Sequence, residues 1–160
     1  MNFQSLIALI KRLTVAKKNE LVLTLGYLAI VVVLHWRFSP DLTILYFLGG
    51  GVLGVYFLDL GDIIFKITPS PYRNVFFQAA FVLMTLFVLT SSGSLFGAGL
   101  VFAIYLSLMM DQVLGLKEKG NLNDWFSLIK KEIDLNTQRI YLTVISVIFL
   151  LLNLLFIYDV

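Results

Sequence analysis

Asp59 and Asp62 stand three residues apart in the stretch YFLDLGDIIFK, Tyr56 to Lys66, which follows directly on GGGVLG, and Asp111 lies in YLSLMMDQV, Tyr105 to Val113. Between them comes PYRNVFFQ, Pro71 to Gln78, which supplies Arg73 and one amide. Three carboxylates with an arginine and an amide make an oxygen-rich set of the kind that hard divalent cations such as Mg²⁺, Mn²⁺ or Ca²⁺ prefer. A cation held there would generate hydroxide or polarise a phosphate or lipid-like ester, with Arg73 steadying negative charge. The same carboxylates could equally meet water at the ends of helices, or pair with Lys66 or Arg73. The chain has one histidine, His35, and no cysteine, so zinc is disfavoured and thiol chemistry is excluded.

The elements that must position these residues are set by an oily composition. Hydrophobic residues make up 59% and charged residues 14%, with mean hydropathy +0.93, whereas soluble domains are under half apolar and about one quarter charged. An integral membrane protein is expected. Five apolar segments, Leu21–Trp36, Leu42–Phe65, Val75–Ser91, Leu95–Val113 and Ile140–Tyr158, approach the roughly 20 residues that cross a hydrocarbon core. They predict an all-α membrane bundle, a single domain over 1–160, with transmembrane helices over about 20–38, 42–66, 74–91, 94–114 and 139–158. Ser-Pro-Asp, Thr-Pro-Ser-Pro and Ser-Ser-Gly-Ser clusters, and the polar stretch from Gly115 to Arg139, separate them.

Basic residues orient this bundle. Lys11, Arg12, Lys17, Lys18, Lys66, Arg73, Lys117, Lys119, Lys130, Lys131 and Arg139 fall on one side and only Arg37 on the other. The bias predicts a cytoplasmic amino terminus and a carboxyl terminus outside; a bacterial or archaeal cytoplasmic membrane is the expected location. Nucleic acid is not implied. Two amphipathic stretches, 1–18 and 121–134, are expected to lie as interfacial helices on the cytoplasmic leaflet, with Trp125 at headgroup depth. Membrane lipids are then the obvious partners.

This topology brings Asp59, Asp62 and Asp111 to one end of the bundle and leaves His35 at the other. Gly99, Ala103 and Ser107 recur every four positions towards Asp111, and Gly50 and Gly54 do the same ahead of Asp59. Small faces of this kind let membrane helices approach closely, so the second and fourth segments are expected to pack together and bring their acidic ends side by side.

The blocks GGGVLGVYFLDLGD, YRNVFFQ and YLSLMMDQVLG resemble, in order and placement, the three signature blocks of the membrane-bound metal-dependent hydrolase family, the YdjM-like, LexA-binding inner-membrane proteins. The resemblance covers Gly49 to Gly115. It implies metal-ligand or catalytic roles for Asp59, Arg73 and Asp111, which match family positions. It also shows departures. Gly61 stands where the second aspartate would be and Asp62 where its histidine would be, while Tyr72, Phe77 and Ser107 replace the remaining histidines. A zinc-type site cannot be rebuilt without imidazole. The resemblance therefore implies a degenerate, noncatalytic scaffold, or one in which Asp59, Asp62 and Asp111 hold a hard cation.

Two other functions fit the same residues. A noncatalytic membrane scaffold or assembly subunit would use the glycine-rich faces to pack against itself, as a homo-oligomer, or against a membrane partner. An ion or proton transporter ranks last, because such sites usually lie near the midplane on broken helices, whereas these aspartates gather at an edge.

Overall fold

The computed structural model describes residues 17–39, 41–65, 70–129 and 133–158, and among them every regular element is helical. The helices are α1 (Lys18–Trp36), α2 (Thr43–Phe65), α3 (Val75–Phe87), α4 (Leu95–Lys119) and α5 (Leu135–Tyr158). A π-helical turn, Val88–Ser92, prolongs α3. With that turn included, all five are long and apolar enough to cross a membrane.

Short polar segments with their own capping chemistry separate the helices. Asn74 Oδ1 accepts the Phe77 amide at 2.9 Å to start α3, and Ser94 Oγ accepts the Gly97 amide at 3.0 Å to start α4. Asp134 caps α5 by accepting from the Thr137 amide at 3.1 Å. Gly120, at φ 72°, ends α4 in the left-handed conformation that glycine adopts without steric penalty. Helix α4 therefore runs to Lys119, about one and a half turns beyond the expected stop near residue 114. Gly115 is tolerated inside it, and Leu116 still packs on the core.

Helix α4 is the axis of the fold. From Ala98 to Leu108 nearly every residue is buried, around the whole circumference, as expected for a helix enclosed by its neighbours. Its aromatic side faces Tyr27, Phe81 and Phe149: Phe102 meets Phe149 edge-on at 6.1 Å, and Tyr105 lies 4.9 Å from Phe149. Its small side meets α2. An added Cβ at Gly50 would stand 2.0 Å from the Phe96 carbonyl oxygen, one at Gly54 2.7 Å from the Leu100 oxygen, and one at Gly99 1.9 Å from the Phe47 oxygen. Ala103, fully buried, is the side chain that Gly54 approaches. Backbone thus touches backbone along two parallel helices, which is what glycine permits and any side chain prevents.

Buried amides tie the other helices in. Gln78 on α3 and Gln112 on α4 are both fully buried and pair with each other, and the Tyr141 hydroxyl of α5 donates to Gln78 Oε1 at 2.7 Å.

The connection from α4 to α5 differs from expectation. The sequence predicts an interfacial amphipathic helix over 121–134; among the described residues, this stretch forms only a short 3₁₀ turn, Asn123–Phe126. Its apolar residues serve the bundle: Leu122, Trp125 and Phe126 are all buried, and Phe126 meets Tyr141 edge-on at 5.4 Å. Gln138 on α5 holds the turn down. Its Oε1 accepts the Leu122 amide at 2.6 Å, and its Nε2 donates to Asn123 Oδ1 and the Ile133 oxygen, each at 2.8 Å. Apolar residues at helical spacing found a protein surface to cover, so Trp125 is interior. The expected helix over 1–18 lies outside the described residues as far as residue 16, as do residues 130–132 and Lys66.

Candidate functional site

Because α1, α3 and α5 run opposite to α2 and α4, one end of the bundle gathers the start of α1, the ends of α2 and α4, and the loop before α3. The glycine contact fixes the register of α2 on α4, and with it the position of Asp59 and Asp62 relative to Asp111. Asn74 caps α3, so Arg73 sits in the bend directly before the first turn and reaches inwards.

Arg73 occupies the centre of the resulting cluster. Its Nη2 donates to Asp59 Oδ1 at 2.8 Å, its Nη1 to Asp62 Oδ2 at 3.0 Å, and its Nε to Asp111 Oδ2 at 2.7 Å. Each guanidinium nitrogen serves a different carboxylate, two from α2 and one from α4. The four residues chosen on sequence grounds are brought together, and the cation among them is the arginine.

Two residues outside that selection complete the network. Lys17, at the start of α1, places Nζ 2.6 Å from Asp59 Oδ2 and 3.0 Å from Glu20 Oε2, and donates to the Val55 carbonyl at 3.4 Å. Glu20 in turn accepts a hydrogen bond from Ser107 Oγ. Ser107, at a position selected for packing, is thus also a polar tether between α1 and α4. The signal that could have found Lys17 and Glu20 was present: alternating helices put the first turn of α1 at the same end as Asp59 and Asp111.

Four carboxylates surround two cations, so two formal negative charges remain when all are ionised. The aspartate and glutamate side chains retain 13–25% of their exposure and Arg73 32%. Burial works to lower the Lys17 ammonium pKa, but Asp59, and after it Glu20, outweigh it and move it above the usual lysine value. Arg73 shows the same balance. Burial opposes its charge, while Asp111 and Asp59 favour it more strongly, so the net direction is upward. Both cations are fixed in the charged form. Among the described residues, Asp62 Oδ1 is buried with no hydrogen-bond partner, and Asp59 Oδ2 faces Lys17 at close range without accepting a well-directed hydrogen bond.

This donor set does not fit a divalent metal. A guanidinium spreads its acceptors around a plane at hydrogen-bond distance from three separate nitrogens, whereas Mg²⁺ or Ca²⁺ gathers six or more oxygens at roughly 2.0–2.6 Å. Among the described residues, no three histidine, cysteine or acidic side chains are placed to share one ion. The aspartates converge, but on Arg73.

Two clefts open beside the guanidinium. One of about 320 Å³ runs between Arg73, Asp111, Gly115 and Leu122, and one of about 620 Å³ between Pro71, Arg73, Asn74 and Leu128. At the opposite end His35 is isolated from the cluster: its Nδ1 lies 2.9 Å from the Phe156 carbonyl oxygen, and its ring stacks on Phe156 at 4.5 Å.

No protein-family model matches the chain, and no curated protein or solved structure is significantly similar to it.

Proposed function

We propose that this chain is a noncatalytic polytopic membrane protein, a hydrolase-like scaffold in which the carboxylate site has become a structural charge clamp. One observation carries the reading: Arg73 commits one nitrogen to each of Asp59, Asp62 and Asp111, so that the three carboxylates are held by a guanidinium at the point where a metal would have to sit. The clamp ties the loop before α3 to α2 and α4, and Lys17 with Glu20 extends it to α1.

The bias of basic residues supports a cytoplasmic position for this end, with the carboxyl terminus outside; the membrane proposed is a bacterial or archaeal cytoplasmic one. The broad apolar exterior, Leu23, Ile30, Leu45, Leu83, Leu150 and their neighbours, supports lipid as its surroundings. Gly50, Gly54 and Gly99 are filled within one chain. An assembly, whether a homo-oligomer or a complex with a membrane partner, therefore uses other faces.

Mn²⁺ titration of purified wild-type protein against Asp111→Asn tests the reading. Neither protein should bind the ion. Binding by the wild type that disappears in Asp111→Asn restores the metal-dependent alternative.

A further inference from the structure

The mismatch between the donor set and a divalent ion carries a further step, which rests on the clamp reading above. We infer that the Arg73 side chain is the intramolecular cation this carboxylate ring is shaped for, and that the ring is selective for a planar guanidinium over a spherical ion.

Three observations converge on this. The contacts at 2.7, 2.8 and 3.0 Å use three different nitrogens, a division of labour that a point charge cannot reproduce. The glycine contacts hold α2 against α4 by backbone, so the positions from which Asp59, Asp62 and Asp111 reach towards Arg73 are set by the helix packing and not by an ion drawing them together. Finally, Lys17 already lies 2.6 Å from Asp59 Oδ2, on the side of that carboxylate away from Arg73, and a divalent ion engaging both Asp59 oxygens would meet an ammonium there.

Replacing the side chain and supplying its head group separately tests the inference. Arg73→Ala in the full chain, purified in detergent, should melt well below wild type. Millimolar ethylguanidinium should then raise its melting temperature by several degrees, while leaving wild type unmoved. Ethylammonium, Mg²⁺ and Mn²⁺ at matched ionic strength should have no such effect, and adding Asp111→Asn to Arg73→Ala should abolish the rescue. A rise with Mn²⁺ or Mg²⁺ equal to or greater than that with ethylguanidinium overturns the selectivity, and so does the lack of rescue by any cation.

If Arg73→Ala does not fold, Arg73→Lys decides. It keeps the charge but not the fork, and is expected to melt clearly below wild type with no gain from Mn²⁺; a melting point equal to wild type overturns the inference. The clamp reading fails separately, if wild-type protein itself binds Mn²⁺ through Asp111.

Discussion

The backbone of Gly99 lies against that of Phe47 so closely that a Cβ on Gly99 would stand 1.9 Å from the Phe47 carbonyl oxygen and 3.1 Å from the Gly51 nitrogen. This contact sits about 18 Å of helix rise away from Asp59 and Asp111, yet it fixes the register of the two helices that carry them. Two helices joined by backbone have no flexible side chain with which to absorb an added methyl group.

Gly99→Ala should therefore destabilise the protein by about 1–3 kcal/mol, the usual range for overpacking. Gly26 provides the control, because nothing lies within 4 Å of its added Cβ. Gly26→Ala should be neutral, or gain up to about 1 kcal/mol from helix propensity. Unfolding curves in mixed detergent would show the contrast, and equal midpoints for the two variants would mean that the α2–α4 contact is not close.

Ser107 and Glu20 should behave as a coupled pair. Ser107→Ala removes a hydrogen bond to a partly buried carboxylate, and bonds to charged groups are worth about 1.5–3 kcal/mol. In a Glu20→Gln background the same change should cost clearly less, since the charge that made the bond strong is gone. A double-mutant cycle measures this directly. Additive effects would show that the two side chains do not interact.

The charged state of Lys17 predicts a pH window. Its pKa is raised on folding, so the stability it contributes is fully present below the ordinary lysine value of 10.5 and is lost as pH rises through the higher folded value. The difference in stability between wild type and Lys17→Met should hold constant from neutral pH to about 10 and shrink only above 10.5. A difference that already declines near pH 8 would place Lys17 outside the cluster.

Gln138 should control the environment of Trp125. In a Trp36→Phe background, which leaves Trp125 as the only tryptophan, Gln138→Leu removes the acceptor of the Leu122 amide and both donors to the turn. The fluorescence of Trp125 should shift to longer wavelength as the turn loosens and its ring meets water. An unchanged emission maximum would show that apolar packing alone keeps Trp125 inside.

The five apolar helices and the turns between them were legible in the sequence, because length, hydropathy and glycine or proline punctuation are local properties. The placement of Asp59, Asp62, Asp111 and Arg73 at one end followed from counting alternating helices. The stretch 121–134 was misread for a physical reason: residues at helical spacing with one apolar face satisfy a lipid surface or a protein groove equally well, and only the Gln138 side chain and the neighbouring Tyr141 ring show which was available.

What the sequence determined by itself was which residues could meet: acidic ends and small faces at matching heights on two parallel helices. The tertiary structure alone decided what they would meet. Whether three aspartates gather round a metal, water or an arginine depends on distances set by backbone contacts several helical turns away and on the reach of one loop side chain. Lys17 and Glu20 join the cluster for the same reason, since charge partners across a bundle are chosen by geometry that no local pattern encodes.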